Sequence, residues 1–456
     1  MKKLLTEIEN QLIRPQKTRR RAALHNLGCK VNSYETEAMA QMLAEAGYEL
    51  VDFSQEADVY VVNTCSVTNI ADRKSRQMLH RARGKNPDAV IVAAGCYVQT
   101  AKEDIKKDPA VDIVIGNNKK AGLLELLEQF FERREQLSDV IDINDGTQDY
   151  EELGLLTGGS HTRAFLKVQD GCNQFCSYCI IPYARGRVRS RAPEHVYAEV
   201  RALAENGYRE IVLNGIHLSS YGSGEDFGLI DLIRKVHDVP GIMRIRLGSL
   251  EPRIVTEEFV SELIRLPKVC PHFHLSLQSG CDATLSRMNR RYTTAEYEKS
   301  CELLRGAYTH PAITTDVIVG FPGESGEEFE ETRQFLERIG FYEMHVFPYS
   351  RRRATRAERM ENQIPEPVKK ERSHVLLALE KQQSKAFRDY YIGKETTVLF
   401  EEEMRIGEKS YMTGFTPEYV KLALECAPGE TALKNQVCTG VVGQPLTDQL
   451  YIIQNL

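Results

Sequence analysis

The sequence predicts an α/β protein with three folded parts: a small open parallel sheet domain, a partial (βα)6 barrel and a C-terminal small all-β domain. The strand pattern of the last part is typical of small barrels in general, of which the oligonucleotide-binding fold is one. Two observations carry this prediction. Strand-length apolar runs alternate with longer amphipathic segments through most of the chain, and after Glu366 a charged helical stretch gives way to short alternating strands. The length of 456 residues suits about three domains.

The predicted boundaries follow changes in this pattern. Residues 1–20 form a polar N-terminal extension, 21–135 the open sheet domain, 136–160 a linker, 161–389 the partial barrel and 390–456 the all-β domain. In the first domain we predict strands at 22–27, 59–63, 90–94 and 113–115, and helices at 35–46 and 121–132. Gly47 follows the first of these helices and is placed as its stop signal.

The partial barrel is predicted because a strand-like apolar run occurs six more times, with helix-like amphipathic segments between the runs. Its strands are placed at 164–168, 211–214, 244–247, 274–277, 314–319 and 344–347, and its helices at 194–206, 228–236, 256–265, 294–305 and 327–339. A helix over 366–389 leads into all-β strands at 396–400, 411–415, 419–424 and 449–453. Working loops of parallel α/β folds lie at the carboxyl ends of the strands, so we expect the chemistry there.

Composition and charge exclude several classes of protein. The chain is 42% hydrophobic and 27% charged, as expected for a globular protein, and no apolar run approaches the length of a membrane span. The N-terminus lacks the apolar core of a secretion signal, so we expect a cytoplasmic protein. Eleven cysteines favour thiolate metal ligands or small buried hydrophobes over a disulfide framework.

Three cysteines stand directly after the first barrel strand with the spacing C-x3-C-x2-C: Cys172, Cys176 and Cys179. Three thiolates can hold three irons of a 4Fe-4S cluster and leave the fourth iron open to another ligand. A structural zinc site takes four ligands, and no fourth Cys or His follows at the usual spacing. The spacing resembles the signature of the radical S-adenosylmethionine superfamily, in which the methionine group chelates the open iron and the cluster generates a 5′-deoxyadenosyl radical. Tyr178 matches the aromatic position of that signature.

Three other cysteines, Cys29, Cys65 and Cys96, each follow a strand of the first domain. The carboxyl ends of adjacent parallel strands lie side by side, so these positions are expected to converge into a second three-thiolate site. The alternative is that they are buried small hydrophobes. That role is the one expected for the remaining cysteines: Cys270, Cys281, Cys301, Cys426 and Cys438.

With both cysteine sets, the chain resembles the radical methylthiotransferases from about residue 21 to residue 453. The resemblance rests on the following runs: LGCKVNSYETEAM, NTCSVTNIADRKSRQ, AAGCYVQ, GCNQFCSYCIIPYARGRVRSR, GSLEP, LSLQSG and TDVIVGFPGE. It implies two 4Fe-4S clusters, with the first trio holding an auxiliary cluster that carries the sulfur. It also implies use of S-adenosylmethionine as methyl donor and radical source, and a C-terminal TRAM domain that binds RNA.

The motif around Cys29 resembles one subfamily more than the others. Gly28-Cys29-Lys30-Val31-Asn32, followed by Tyr34-Glu35-Thr36, is typical of enzymes that methylthiolate C2 of N6-threonylcarbamoyladenosine at position 37 of tRNA, beside the anticodon. The implied partners are the tRNA anticodon stem-loop and a reducing electron donor of the flavodoxin or ferredoxin type, with a monomer expected. Alternatives are a methylthiotransferase for isopentenyladenosine in tRNA or for a ribosomal protein aspartate, and a non-enzymatic iron–sulfur RNA-binding protein.

Cofactor contacts are expected where predicted barrel strands end. The candidates are Asn214, Gly215, Ser249, Glu251, Gln278, Val319 and Gly320. Glu251 is the strongest of them, because a carboxylate after a buried strand needs a partner and Arg253 lies two residues on.

Three arginine clusters stand out, because the net charge of −6 does not indicate where Lys and Arg lie, and solvated surface is the alternative to nucleic-acid contact for each. They are Arg19–Arg21, the alternating set Arg185, Arg187, Arg189 and Arg191, and the set Arg351, Arg352, Arg353, Arg356 and Arg359. The last set replaces the usual Pro-Gly turn of the family. The predicted RNA contacts are the alternating set, which lies just beyond the cysteine loop, and Arg352. Lys30 or Arg352 is expected to meet the carboxylate of a threonylcarbamoyl group.

Overall fold

The computed structural model of the protein describes residues 19–146, 148–154 and 162–455. Most of the predicted N-terminal extension and part of the predicted linker therefore lie outside the described residues. The chain divides into two compact units, Met1–Ser66 with Ile70–Asp142, and Val67–Asn69 with Ile143–Leu456. Among the described residues, no helix combines the length and apolar character of a membrane span.

The first unit is a six-stranded, fully parallel sheet with strand order β2-β1-β3-β4-β5-β6. Its strands are β1 (Arg21–Asn26), β2 (Glu49–Leu50), β3 (Val59–Thr64), β4 (Val90–Gly95), β5 (Ile113–Ile115) and β6 (Leu137–Asp139). Every residue of β3, β4 and β5 is buried, because apolar clusters cover both faces of the sheet.

Five helices connect these strands: α1 (Lys30–Glu45), α2 (Asn69–Lys85), α3 (Cys96–Thr100), α4 (Lys102–Lys106) and α5 (Leu123–Arg133). Helix α1 begins five residues before its predicted start, since the polar residue Asn32 is buried inside the first turn. The predicted linker was wrong at its beginning, because β6 pairs with β5 and completes the sheet.

The second unit contains a partial barrel in two hydrogen-bonded sections, β10-β9-β7-β8 and β11-β12-β13. Its strands are β7 (Arg163–Asp170), β8 (Arg189–Ser190), β9 (Glu210–Gly215), β10 (Arg244–Leu247), β11 (His272–His274), β12 (Ala312–Val319) and β13 (Glu343–Pro348). Isolated bridges between Ile245 and Val269 and between Leu250 and Leu275 join the sections. The predicted strand at 274–277 was therefore wrong in position, since the regular strand ends at His274.

The helices of this barrel are α6 (Ile181–Arg185), α7 (Pro193–Glu205), α8 (Leu229–His237), α9 (Glu257–Leu263), α10 (Asp282–Arg287), α11 (Thr294–Ala307), α12 (Gly326–Ile339) and α13 (Glu366–Asp389). They confirm the predicted alternation of strands and helices. Side-chain caps at Thr256, Thr293 and Ser325 fix the starts of α9, α11 and α12. The predicted charged helix at 366–389 is confirmed at both ends.

The C-terminal part is a closed five-stranded barrel of order β14-β15-β16-β18-β17. Its strands are β14 (Glu395–Ile406), β15 (Lys409–Phe415), β16 (Lys421–Cys426), β17 (Val437–Pro445) and β18 (Tyr451–Gln454). Within the second unit it packs on the partial barrel through buried charge. Arg246 pairs with Glu210 at 2.7 Å and donates to the carbonyl oxygen of Thr416 in the small barrel.

Candidate functional site

The loop that follows β7 carries Cys172, Cys176 and Cys179, and its backbone is held in an unusual shape. Gly171 has a φ of +71°, and a Cβ there would lie 1.8 Å from the carbonyl oxygen of Arg187. The Nδ2 of Asn289 donates to the carbonyl oxygen of Phe175 at 2.9 Å, which supports a second left-handed residue at φ 50°. The chain therefore turns sharply between the first and second cysteines, so that the thiols share one loop.

The three thiols of this loop interact electrostatically. Burial, with a smaller contribution from the neighbouring Cys176, raises the pKa of Cys172 to about 11, while the Gln174 backbone amide opposes the shift. Burial also raises the pKa of Cys179 to about 12, again with a contribution from Cys176. Two buried thiols that keep their protons, beside a third, are a donor set that suits a cation, because bound iron replaces the protons of its thiol ligands.

Arg290 is a site residue that no local sequence pattern indicates. Its Nη1 donates to the sulfur of Cys176 at 3.4 Å, and its Nε donates to the hydroxyl of Tyr292 at 2.9 Å. The Tyr292 hydroxyl in turn donates to the carbonyl oxygens of Ser276 and Leu277. Because Arg290 is separated from Cys176 by 114 residues, only the fold reveals this contact.

The buried carboxylate of Asp170, directly before the cysteine loop, is paired with three cationic side chains. Arg185 donates to Asp170 at 3.0 Å, the Lys167 ammonium lies 2.6 Å from it, and Arg189 lies 3.5 Å away. Arg185 and Arg189 are buried. The prediction that these two arginines contact RNA was therefore wrong, since each lies inside the protein against a carboxylate.

Arg191 and Arg352 are also buried, which contradicts the predicted RNA contacts. Arg191 pairs with Glu199 and, at 2.8 Å, with Glu152. Arg352 donates to the side-chain oxygen of Asn69 at 3.1 Å. Both guanidinium groups contact polar side chains inside the protein and do not face solvent.

Arg187 differs from its neighbours because its side chain is exposed. Its guanidinium lies over the ring of Phe175, 4.7 Å from the ring centre. Tyr183, which is 44% exposed, meets the same phenylalanine edge-on at 6.0 Å. Tyr183 also lines a surface cavity of about 450 Å³ together with Arg356 and Arg359.

Glu251 forms the polar centre that the sequence led us to expect near the strand ends. Arg253 donates to it at 2.9 Å, Gln174 of the cysteine loop donates at 3.2 Å, and the His217 ring lies 3.4 Å away. Burial alone would raise the pKa of Glu251, but the hydrogen bond from His217 and the charges of Arg253 and Arg290 lower it. The ionised carboxylate therefore links the cysteine loop to the β10 end of the barrel.

The other predicted cofactor positions differ in their burial and in their contacts. Asn214 is buried and donates to the carbonyl oxygen of Val212, while a Cβ on Gly215 would lie 2.7 Å from the Gln169 side chain. Ser249 is exposed, and Gln278 is buried with a φ of 75°. These four positions stay predictions as cofactor contacts.

Tyr178, Val319 and Gly320 complete the predicted set. Tyr178 is half-buried and meets Phe321 edge-on at 6.3 Å, next to Cys179. Val319 follows Ile318 on β12, and successive side chains of a strand point to opposite faces. The Val319 side chain therefore lies on the face opposite to that of Ile318. A Cβ on Gly320 would lie 2.3 Å from Lys369 of α13. Gly320 thus serves close packing against that helix.

The first unit brings together Cys29, Cys65 and Cys96 as the parallel strands predict. They follow β1, β3 and β4, which are neighbours in the sheet. A Cβ on Gly28 would lie 2.9 Å from the Cys65 sulfur, so glycine is needed beside Cys29. Cys29 is exposed, whereas Cys65 and Cys96 are buried. The geometry supports the second three-thiol site over three separate buried cysteines.

Asparagine side chains fix the strand ends at this second site. Asn32 donates to the carbonyl oxygens of Leu27 and Thr64 at 2.7 and 3.0 Å, which ties the end of β1 to the end of β3. Asn117 donates to the Cys96 sulfur at 3.5 Å and accepts from the buried ammonium of Lys120. Asn32 belongs to the motif around Cys29, but neither its role nor that of Asn117 is evident from the sequence, because no hydrophobic period marks a buried amide.

Both trios fit an iron–sulfur cluster by the chemistry of their donors. Each trio offers three thiols, one trio from a single loop and the other from the ends of three neighbouring strands. In each trio a neighbouring side chain donates a hydrogen bond to one sulfur. Among the other cysteines, Cys270, Cys281 and Cys301 are buried, as expected, while Cys426 and Cys438 are half-buried against the core of the small barrel.

Known families match the two units in turn. Residues 21–116 match uncharacterized protein family UPF0004, and residues 166–336 match the radical SAM superfamily. The chain is 45% identical over 406 residues to the threonylcarbamoyladenosine tRNA methylthiotransferase MtaB of Bacillus subtilis, covering 88% of this chain and 90% of that protein. It is 41% identical over 394 residues to the MtaB of Aquifex aeolicus, covering 86% and 95% of the two chains.

The chain belongs to the threonylcarbamoyladenosine tRNA methylthiotransferase family. A related enzyme with a different printed substrate, the tRNA-2-methylthio-N6-dimethylallyladenosine synthase of Acetivibrio thermocellus, is 37% identical over 401 residues, covering 86% of this methylthiotransferase and 83% of that protein.

A solved structure supports the fold of this methylthiotransferase. The radical S-adenosylmethionine methyltransferase TsrM of Kitasatospora setae superimposes with a TM-score of 0.55 at 16% identity, over 73% of this chain and 72% of that one. At this identity the likeness concerns the fold alone. It confirms the predicted α/β architecture of the methylthiotransferase.

Proposed function

We propose that the protein methylthiolates C2 of N6-threonylcarbamoyladenosine at position 37 of tRNA, with S-adenosylmethionine as methyl donor and radical source. One observation carries the proposal: the fold assembles two separate three-thiol sites in a chain that is 45% identical to a curated threonylcarbamoyladenosine tRNA methylthiotransferase. A C2–H bond of adenine is neither acidic nor electrophilic, so radical chemistry supplied by cofactors suits the reaction.

The two trios take different roles in this proposal. Cys172, Cys176 and Cys179 would hold the 4Fe-4S cluster that cleaves S-adenosylmethionine, and Cys29, Cys65 and Cys96 would hold the auxiliary 4Fe-4S cluster. When bound, the clusters supply the reducing electron and the sulfur, while one S-adenosylmethionine gives the methyl group and another gives the radical that removes hydrogen from C2. A flavodoxin- or ferredoxin-type protein is the expected electron donor.

The protein's own part is to hold these groups and set the local charge. Arg290 places a positive charge beside the Cys176 sulfur, and the same charge lowers the pKa of Cys172 and Cys179 against the larger effect of burial. A positive environment stabilises thiolates. The Glu251 carboxylate, held by Arg253, is aimed at the cysteine loop and suits the ammonium of a bound amino acid.

We place the phosphate contacts on the exposed residues beside the cysteine loop. Arg187, the rings of Phe175 and Tyr183, and the cavity with Arg356 and Arg359 combine positive charge with aromatic faces. Single-stranded RNA loops are bound by this combination of arginine and stacking. This surface replaces the contacts that the buried Arg185, Arg189 and Arg191 were expected to make.

The charge of the small barrel favours this assignment. Residues 390–456 contain five Lys and Arg against nine Asp and Glu, a formal charge of −4. A domain with that balance has little general attraction for phosphate. The expected RNA-binding TRAM role of the barrel therefore stays a prediction, with specific contacts rather than net charge as its basis.

The threonyl carboxylate of the substrate requires a cation. Arg352 is buried against Asn69, so Lys30, exposed at the start of α1 and next to Cys29, becomes the preferred candidate of the two predicted. We propose the cytoplasm as the location of the reaction, because the proposed substrate is a tRNA.

Nucleoside mass spectrometry would test the proposed function. We would express the chain, and its Cys172→Ala variant, in a bacterium that lacks tRNA methylthiolation. The expected result is 2-methylthio-N6-threonylcarbamoyladenosine with the parent chain only. A 2-methylthio-dimethylallyl product would keep the chemistry and overturn the substrate, and an absence of any product from cluster-loaded protein would overturn the reaction.

A further inference from the structure

A group of metal-ligating side chains lies on the last three barrel strands, apart from both cysteine trios. His274 of β11, Asp316 of β12 and His345 of β13 each offer one ligand atom, and these atoms all lie within 4.8 Å of one another. The proposed methylthiolation gives none of the three a role. Two imidazole nitrogens and one carboxylate oxygen are a ligand set that divalent transition metals prefer.

The register of the sheet explains why the three side chains converge. In the parallel pairing, His274 lies opposite Thr314 and His345 lies opposite Asp316. Thr314 and Asp316 are two residues apart on β12, so they share one face of the sheet. All three ligands therefore project from the same face of neighbouring strands, and the backbone hydrogen bonds of the sheet fix their spacing.

The orientation of His274 suits coordination better than a direct ion pair. Its Nδ1 is 3.0 Å from the Thr314 hydroxyl, which turns Nε2 toward Asp316. The distance from Nε2 to the Asp316 Oδ2 is 3.4 Å, slightly longer than the usual length of an N–H···O hydrogen bond. Two ligands about 2.0–2.1 Å from a tetrahedral ion are separated by about 3.3 Å, which matches this distance. Thr314 acts as the outer partner that metal-bound histidines usually have.

The site is open to a ligand and faces the same side of β12 as the cysteine loop. Ile318, two residues beyond Asp316 on the same face, belongs to the apolar cluster that includes Tyr178. The Asp316 side chain is 31% exposed and that of His274 is 14% exposed, while His345 is exposed. Water or a small oxygen ligand can therefore reach an ion bound between them.

A further carboxyl group, that of Glu343, lies beside the three proposed ligands. Glu343 precedes His345 by two residues and lies opposite Thr314, on the same face. Burial raises the pKa of Glu343, while the facing His345, Arg388 and His274 lower it. Glu343 therefore adds a carboxyl group beside the two histidines without being one of the three proposed ligands.

We propose that His274, Asp316 and His345 bind one divalent transition-metal ion such as Zn²⁺, with three protein ligands and an open position toward the interior of the partial barrel. The ion would be additional to the iron held by the six cluster cysteines. Three-ligand sites keep a position for water or for an oxygen of a bound molecule, where the ion acts as a Lewis acid. The alternative is a metal-free cluster in which His345 stacks on His274 with ring centres 5.9 Å apart.

The test measures metal binding on the full chain with both iron–sulfur sites reconstituted, so that the cluster cysteines are occupied. Zn²⁺ is titrated calorimetrically against a competing chelator, with the parent, His345→Ala and Asp316→Asn. His80→Ala is the matched control, since it removes another histidine that faces an aspartate, at 3.0 Å from Asp108. Iron content and circular dichroism check that each variant is folded and loaded.

We expect one Zn²⁺ per chain in the parent and in His80→Ala, with affinity reduced at least about tenfold in His345→Ala and Asp316→Asn. In the difference spectrum against cluster-loaded protein without Co²⁺, Co²⁺ bound at the same site should add visible d–d absorption without a new thiolate-to-cobalt charge-transfer band. Equal Zn²⁺ affinity in parent and variants, or a thiolate band, would overturn the proposal. His345 is exposed, so its variant keeps the test decisive if Asp316→Asn fails to fold. The titration contains no tRNA, so its outcome is independent of the proposed function.

Discussion

Arg290 donates a hydrogen bond to the sulfur of Cys176 over 3.4 Å, and its other terminal nitrogen donates to the carbonyl oxygen of Ser276. One guanidinium thus joins the cysteine loop to the end of a strand on the other section of the partial barrel. It also places a positive charge beside a thiol that must ionise to bind iron. The charge and the geometry of this contact can be separated by mutation.

We predict that Arg290→Met weakens iron retention at the radical site by about ten- to a hundredfold, the usual cost of removing a side chain that supports a metal ligand. Arg290→Lys should lose less, because it keeps the charge. Iron content after incubation with a chelator measures the effect. Arg338→Met is the control, since it removes an exposed arginine that pairs with Glu298. Equal iron retention in all four proteins would contradict the assigned role.

Substitution of one cysteine in each trio should separate the two sites. Cys172→Ala should abolish formation of 5′-deoxyadenosine, whereas Cys65→Ala should keep that product and lose the methylthiolated nucleoside. Each variant should retain about half the iron of the parent, since the two sites lie on different units. Chromatography of the reaction products, with iron analysis of the same samples, provides the measurement. Continued 5′-deoxyadenosine formation by Cys172→Ala would refute the assignment of the radical site.

Iron loading at the Cys172 loop should release protons and strengthen as the pH rises. The pKa of Cys172 is raised to about 11 and that of Cys179 to about 12, so both thiols are protonated at neutral pH before iron binds. Each thiolate that binds iron gives up one proton, and the equilibrium therefore shifts toward the bound state with increasing pH. Calorimetry in two buffers of different ionisation enthalpy counts the protons. Cys172→Ala should release fewer protons than the parent on iron binding. An equal number of protons would contradict the conclusion that the Cys172 thiol is protonated before iron binds.

Gly171 and Gly340 offer a matched pair for the backbone of the cysteine loop. Both have a positive φ, +71° and +66°, but a Cβ on Gly171 meets the Arg187 carbonyl at 1.8 Å and one on Gly340 meets nothing within 4 Å. Gly340→Ala should cost only the strain of the left-handed conformation, about 1–2 kcal/mol. Gly171→Ala should cost more and also lose iron at the radical site. Thermal unfolding and iron analysis test this, and equal behaviour of the two variants would contradict it.

The cysteine sites could be predicted because their signals are local. Cys172, Cys176 and Cys179 lie within one loop, and Cys29 and Cys65 each follow a strand whose apolar run is evident in the sequence. A parallel sheet then places such positions at one edge without further information. The same reasoning located Glu251, since the partner Arg253 is only two residues away.

The remaining site residues depend on contacts between distant parts of the chain. Alternating arginines after the cysteine loop suggested a phosphate-binding surface, but Arg185 and Arg191 are drawn inside by Asp170 and Glu199. Charge pattern alone does not distinguish a solvated arginine from one that pairs with a buried carboxylate. Likewise, the convergence of His274 and His345 depends on how β11, β12 and β13 pair, and the hydrophobic periodicity of each strand does not specify its neighbours or its register against them.

The exposed arginines near the cysteine loop should control the salt dependence of tRNA binding. If Arg187 and Arg356 each neutralise a phosphate of a single-stranded loop, each alanine variant should reduce the slope of log affinity against log salt by about 0.7. The measurement is the affinity for an anticodon stem-loop across a salt series. Arg338→Ala serves as the control, because this arginine is exposed on α12 and pairs with Glu298. A slope that stays at the parent value in Arg187→Ala and Arg356→Ala would contradict the proposed surface. A reduced slope in these two variants, with the control unchanged, would instead locate the bound RNA beside the loop of Cys172, where the proposed radical chemistry takes place.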